Sequence, residues 1–87
     1  MTIDEKQELR MNLLKELYDY NEETGGNEKQ IPRNVPMKEE DKDVILAYEY
    51  LEGKGLISFK LFHKTAYVAK ITSYGIDHVE EMLNKQW

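Results

Sequence analysis

Residues 41–83 read DKDVILAYEYLEGKGLISFKLFHKTAYVAKITSYGIDHVEEML, and this stretch decides the fold. Val44, Ile45, Ala47, Tyr48 and Leu51 recur at helical spacing, which predicts a helix over Asp41–Lys54. Glu39, Glu40, Asp41 and Asp43 gather around its first turn, where the helix dipole favours negative charge. Gly53 and Gly55 flank Lys54, and Gly55 is the better candidate for the left-handed residue that ends the helix. Leu56–Leu61 and Ala66–Ile71 then begin apolar and resolve into alternation, the pattern of half-buried strands. With Phe62-His63-Lys64-Thr65 between them they predict a β-hairpin, although no Asn-Gly or Asp-Gly pair sets its register. Thr72 is placed to cap a last helix whose inward stripe is Ile76, Val79, Met82 and Leu83, with Asp77, Glu80, Glu81 and Lys85 outside.

Working back toward Met1, Thr2-Ile3-Asp4-Glu5 has the form of a capping box. Leu9, Leu13, Leu14, Leu17 and Tyr18 follow at helical spacing, so a helix is expected from Ile3 to about Tyr20. Met11 and Tyr20 lie off that stripe, as edge residues or as contacts for a partner. Asn21–Asn27, a polar run with paired glycines, reads as loop. Pro32 and Pro36 argue against a normal helix across Gln30–Met37. Ile31, Val35 and Met37 are spaced to send apolar groups inward from an extended path, with a short third strand near Gln30-Ile31. Trp87 either folds back on the core or anchors a partner.

The 87 residues suit a single domain over 1–87. A chain of this size buries roughly 60–65% of the surface its unfolded form exposes, so its stability margin is thin. There is no cysteine for a disulfide or a thiolate metal site. No signal-like apolar run follows Met1, and no stretch approaches the roughly 20 apolar residues of a membrane span. A soluble, cytoplasmic protein with no membrane partner is the expectation.

The formal net charge is −5, but it is unevenly spread. Residues 1–53 carry a balance of −7, residues 54–71 carry +4 with no acid, and residues 72–87 carry −2. An acidic surface repels phosphate, whereas the acid-free segment attracts it.

Catalytic and cofactor chemistry finds little footing. His63 and His78 are isolated, without the repeated spacing of a metal site. Asp77 and His78 are neighbours along a helix and point apart, Ser58 and Ser73 sit in no nucleophile elbow, and the glycines form no phosphate-cradling loop. The reading is a protein that is not an enzyme and needs no cofactor. Its six tyrosines are scattered, which suits core and rim positions better than a stacking platform for bases.

Two passages carry a family resemblance. Leu51-Glu52-Gly53-Lys54-Gly55-Leu56-Ile57, and Ile71-Thr72-Ser73-Tyr74-Gly75-Ile76 continuing to Val79-Glu80, resemble passages of the winged helix-turn-helix superfamily. In many bacterial members an LExKGLI-like run leads from the third helix into the wing, and an ITxxGIxxVE-like run leads from the wing into the last helix. The resemblance covers about Asp41 to Leu83, and it implies an α+β winged helix: a three-helix core with a two-stranded wing. The chain departs from the family where a short second helix should stand, because that position holds Pro32 and Pro36. It departs again at the start of the supposed recognition helix, which is acidic.

The resemblance implies a dimeric DNA-binding regulator of transcription. Its wing would place Lys60, His63 and Lys64 on phosphate, and Lys38, Lys42 and Lys54 would flank the helix that approaches the groove. Two to four phosphate contacts give a salt slope of only about −2 to −4. The competing view of the same lysines is a solvated edge that blocks strand-to-strand association. The alternative function is a winged-helix scaffold for protein contacts, an adaptor or inhibitor meeting a basic partner through Glu39, Glu40 and Trp87. The two readings stand side by side.

Overall fold

The computed structural model describes residues 1–64 and 66–85. In chain order these form α1 (Ile3–Thr24), β1 (Lys29–Pro32), α2 (Glu39–Gly53), β2 (Ile57–Phe62), β3 (Ala66–Ile71) and α3 (Ser73–Asn84). The fold class is α+β, with three helices and one antiparallel sheet of order β1-β3-β2. The hairpin aligns Ile57 with Ile71 and Phe62 with Ala66, and β1 aligns Lys29 with Ala69 and Pro32 with Ala66. The short third strand expected near Gln30-Ile31 is β1.

The helix ends follow local chemistry. The Thr2 hydroxyl accepts from the Glu5 amide at 3.2 Å while the Glu5 carboxylate accepts from the Thr2 amide at 3.0 Å. These bonds hold the Glu5 carboxyl below its ordinary value. At the other end α1 continues to Thr24, four residues past the expected stop, so Asn21–Thr24 is helix and not loop. The stop is set by Gly25, which takes φ 72° beyond the last turn, and by the Gly26 amide donating to the Asn21 carbonyl at 3.0 Å. Helix α2 starts at Glu39, two residues early, because Asp41 accepts from the Lys38 amide at 3.1 Å. Gly55, at φ 75°, turns the chain off α2 as expected.

The core is built from Leu13, Leu14 and Leu17 of α1, Ala47, Tyr48 and Leu51 of α2, the inward residues Ile57, Phe59, Ala69 and Ile71 of the hairpin, and Val79 of α3. Burying one such leucine contributes about 1.5–3 kcal/mol. The aromatic part is a column: Tyr48 stacks on Phe59 with centroids 5.1 Å apart, and Phe59 stacks on Tyr67 at 4.8 Å. The column fixes α2 against the hairpin.

Two expectations about the core fail. Val35 does not point inward and is 79% exposed. Beyond Pro32 the chain crosses outside the sheet to reach α2, and the Asn34 amide is tied to Asp41 at 3.1 Å, which holds the crossing at the surface. Met82 and Leu83 are each 37% exposed, since the last turn of α3 runs past the partners that cover Ile76 and Val79. No helix stands between β1 and α2 among the described residues.

Candidate nucleic-acid interface

The chain reverses at Gly55, so α2 and β2 lie side by side and run in opposite directions. From the Tyr48–Phe59 stack, the start of α2 at Glu39 is nine residues back, and the end of β2 at Phe62 is three residues on. At 1.5 Å and about 3.3 Å per residue, these distances are roughly 13 Å and roughly 10 Å. The start of α2 and the tip of the hairpin therefore reach the same end of the molecule. Because Pro32 and Phe62 both align with Ala66, residues 33–38 leave from that end as well.

Five cations stand on the segments that end there: Arg33, Lys38, Lys42, Lys60 and Lys64, with Lys60 on the sheet face turned away from α2. His63 sits in the turn at φ 59°, its ring edge-on to Phe62 at 4.2 Å. Two of the acids that open α2 have partners. Asp41 is held by the Lys38 amide and the Asn34 side chain, which keep its carboxyl below the ordinary value. Glu39 meets Lys42 at 3.4 Å, and Asp43 lines a cleft with Lys6 and Arg10 on the α1 side. Glu40 is left, facing the 34–38 crossing. No acid lies on the hairpin.

The outer face of the sheet adds a feature. Lys60, Val68 and Gln30 form one row across the three strands, and Ser58 and Lys70 form the next. Val68 belongs to no part of the core cluster, yet it is only 6% exposed. Its row neighbours are the long side chains of Lys60 and Gln30, both exposed. At the tip, Leu61 and Phe62 are 52% and 47% exposed. The hairpin thus presents apolar surface between its cations.

Of the residues expected at a DNA-binding face, Lys38 and Lys42 stand at the start of α2, and Lys60, His63 and Lys64 on the tip half of the hairpin. Lys54 lies past the far end of α2, about 24 Å along the helix from Lys38. Arg33 joins the group unforeseen; the only signal was its place after Pro32, read without knowing where β1 ended. Glu39 and Glu40 are exposed at the same end, and Trp87 lies outside the described residues. Of the tyrosines, Tyr74 and Tyr50 are exposed and Tyr67 is half-buried in the aromatic column. Among the described residues no group of His, Asp and Glu is placed to hold a metal ion, and no helix is long and apolar enough to cross a membrane.

No protein-family model matches the chain, and neither do the curated proteins or the solved structures.

Proposed function

We propose that this is a winged-helix protein that binds double-stranded DNA and regulates transcription as a dimer. The fold part of the reading is supported by the order helix, strand, helix, hairpin, helix and by the sheet order β1-β3-β2, in which β2 and β3 form the wing. The absent second helix leaves β1 and the 33–38 crossing in its place. The single observation that carries the function is that the elements bearing Arg33, Lys38, Lys60, Lys64 and His63 end at the same end of the molecule, on an acid-free hairpin and the start of α2. In this reading the wing lysines and Arg33 hold phosphates, and the first turn of α2 approaches the major groove. Four contacts correspond to a salt slope of about −4 per protomer, and a dimer doubles it. Half-sites about 34 Å apart follow from one turn of duplex between equivalent helices.

Duplex binding measured across a salt series tests this, with Lys60→Ala and Lys64→Ala alongside. Each substitution should lower the salt slope by about 1. Affinity indifferent to salt and to both lysines would sink the reading.

A second reading keeps the same fold and replaces DNA with a protein. It is favoured by Glu39 and Glu40, both exposed, with the exposed Val35 lining the same hollow as Glu40. It requires that duplex binding be missing near physiological salt, and that reversing the charges of Glu39 and Glu40 abolish a protein complex.

A further inference from the structure

A cleft of about 420 Å³ opens between α1, the C-terminal turn of α2 and α3, at the opposite end of α2 from the hairpin tip. Its apolar wall is Leu14, Leu51 and Leu56, and its polar groups include Arg10, Lys54 and His78. The guanidinium carbon of Arg10 lies 3.8 Å from the centroid of the Tyr50 ring, and the Lys54 ammonium lies 5.6 Å from the same centroid. Tyr50 is thus flanked by two cations.

Three points concern what this arrangement would hold. First, the described residues that line the cleft include no carboxylate, in a chain with 17 acids and a net charge of −5. Second, Arg10 and Lys54 make no ion pair among the described residues. The helix explains this: three or four residues away, Arg10 has Lys6, Gln7, Leu13 and Leu14, and Lys54 has Tyr50 and Leu51. Third, a guanidinium held over a ring still has edge donors to offer, in the fork that matches a carboxylate. A cation would meet like charge here, and an apolar molecule would leave the fork unused. The volume lies within the roughly 300–1,000 Å³ of small-molecule sites.

We propose that this cleft binds a small organic anion, a flat apolar body bearing a carboxylate, with the apolar part on Leu14, Leu51 and Leu56 and the carboxylate between Arg10 and Lys54. The site is independent of DNA binding, because it uses neither the hairpin nor the first turn of α2.

The test is an amide-resolved NMR titration of the whole chain with 2-naphthoate, with neutral 2-naphthamide as the control. Saturable shifts are expected around Arg10, Lys54, Leu56 and His78, and the amide should bind about tenfold more weakly or worse. Arg10→Gln and Lys54→Gln should each weaken naphthoate by about tenfold, and Arg10→Lys, which keeps charge without the fork, should fall between. Equal affinity for the neutral amide overturns the proposal, as do shifts confined to the hairpin or no saturable shift. If Arg10→Gln loses the dispersed spectrum of the folded chain, Lys54→Gln decides, and undiminished naphthoate binding by that variant is the overturning result.

Discussion

The Thr72 hydroxyl donates to the Gly55 carbonyl at 2.7 Å and accepts from the Gly75 amide at 3.2 Å. Its backbone amide donates to the Leu56 carbonyl at 3.0 Å. One residue thereby caps α3 and ties it to the turn that ends α2, 17 residues earlier. The two passages singled out in the sequence meet at this point.

Thr72→Val keeps the shape and removes the hydroxyl. It should cost about 1–2 kcal/mol, the loss of an N-cap, and lower the melting temperature by several degrees for a domain of this size. Thr72→Ser should recover most of it. Thermal melts of the three proteins check this, and an unshifted Thr72→Val would show the cap to be unimportant.

Two glycines in helices should respond in opposite directions to alanine. A Cβ on Gly75 would fall on the Leu56 carbonyl and the Ile71 side chain, displacing the acceptor of the Thr72 amide. Gly75→Ala should destabilise by about 1–3 kcal/mol or more, despite alanine's better helix propensity. A Cβ on Gly53 meets nothing within 4 Å. Gly53→Ala should stabilise by roughly 0.5–1 kcal/mol. Urea denaturation of both variants settles the pair of signs.

Tyr48 gives an alkaline signature. Burial, with a smaller contribution from Glu16, pushes its phenol up to about 12. An unfolded tyrosine titrates near 10, so the folded state holds this proton more tightly than the unfolded chain. The contribution is complete below about pH 10 and is lost as pH rises toward the folded value. Tyr48→Phe keeps the ring on Phe59 and removes the proton. The stability of the native chain should therefore fall more steeply than that of the variant between about pH 10 and pH 12, as read by denaturation at several pH values.

Asp41 gives the acidic counterpart. Hydrogen bonds from the Lys38 amide and from Asn34 hold its carboxyl below the ordinary value. That contribution is present above the unfolded carboxyl value of about 4 and disappears as pH falls through the folded one. Asp41→Asn should melt lower than the native chain at neutral pH, with the gap closing in acid. A gap independent of pH would assign the loss to geometry rather than to charge.

The hairpin shows where legibility ran out. Its strands were readable from alternation, and Gly55 and Thr72 from their chemistry. The turn was not, because it places His63 at φ 59°, a conformation open to histidine but signalled by no residue pair. Asn21–Thr24 was misread because glycines mark where a helix can stop, while the preceding acids and threonine are compatible with either state. Val35 was misread because an extended apolar residue carries no record of which side the chain crosses. Composition counts the acids of α2 without their partners, which among the described residues only Glu39 and Asp41 have.

By itself the sequence determined the local structure: helical stripes, strand alternation, the Thr2 and Thr72 caps and the left-handed turn at Gly55. These depend on neighbours within a few residues, so spacing and residue type suffice. Tertiary structure alone decided which charges share a surface. It brought Arg33 to the hairpin tip, left Lys54 at the far end of α2, and turned Asp43 toward α1. Those relations depend on strand register and on the direction in which α2 lies along β2, both set by contacts between residues far apart in the chain.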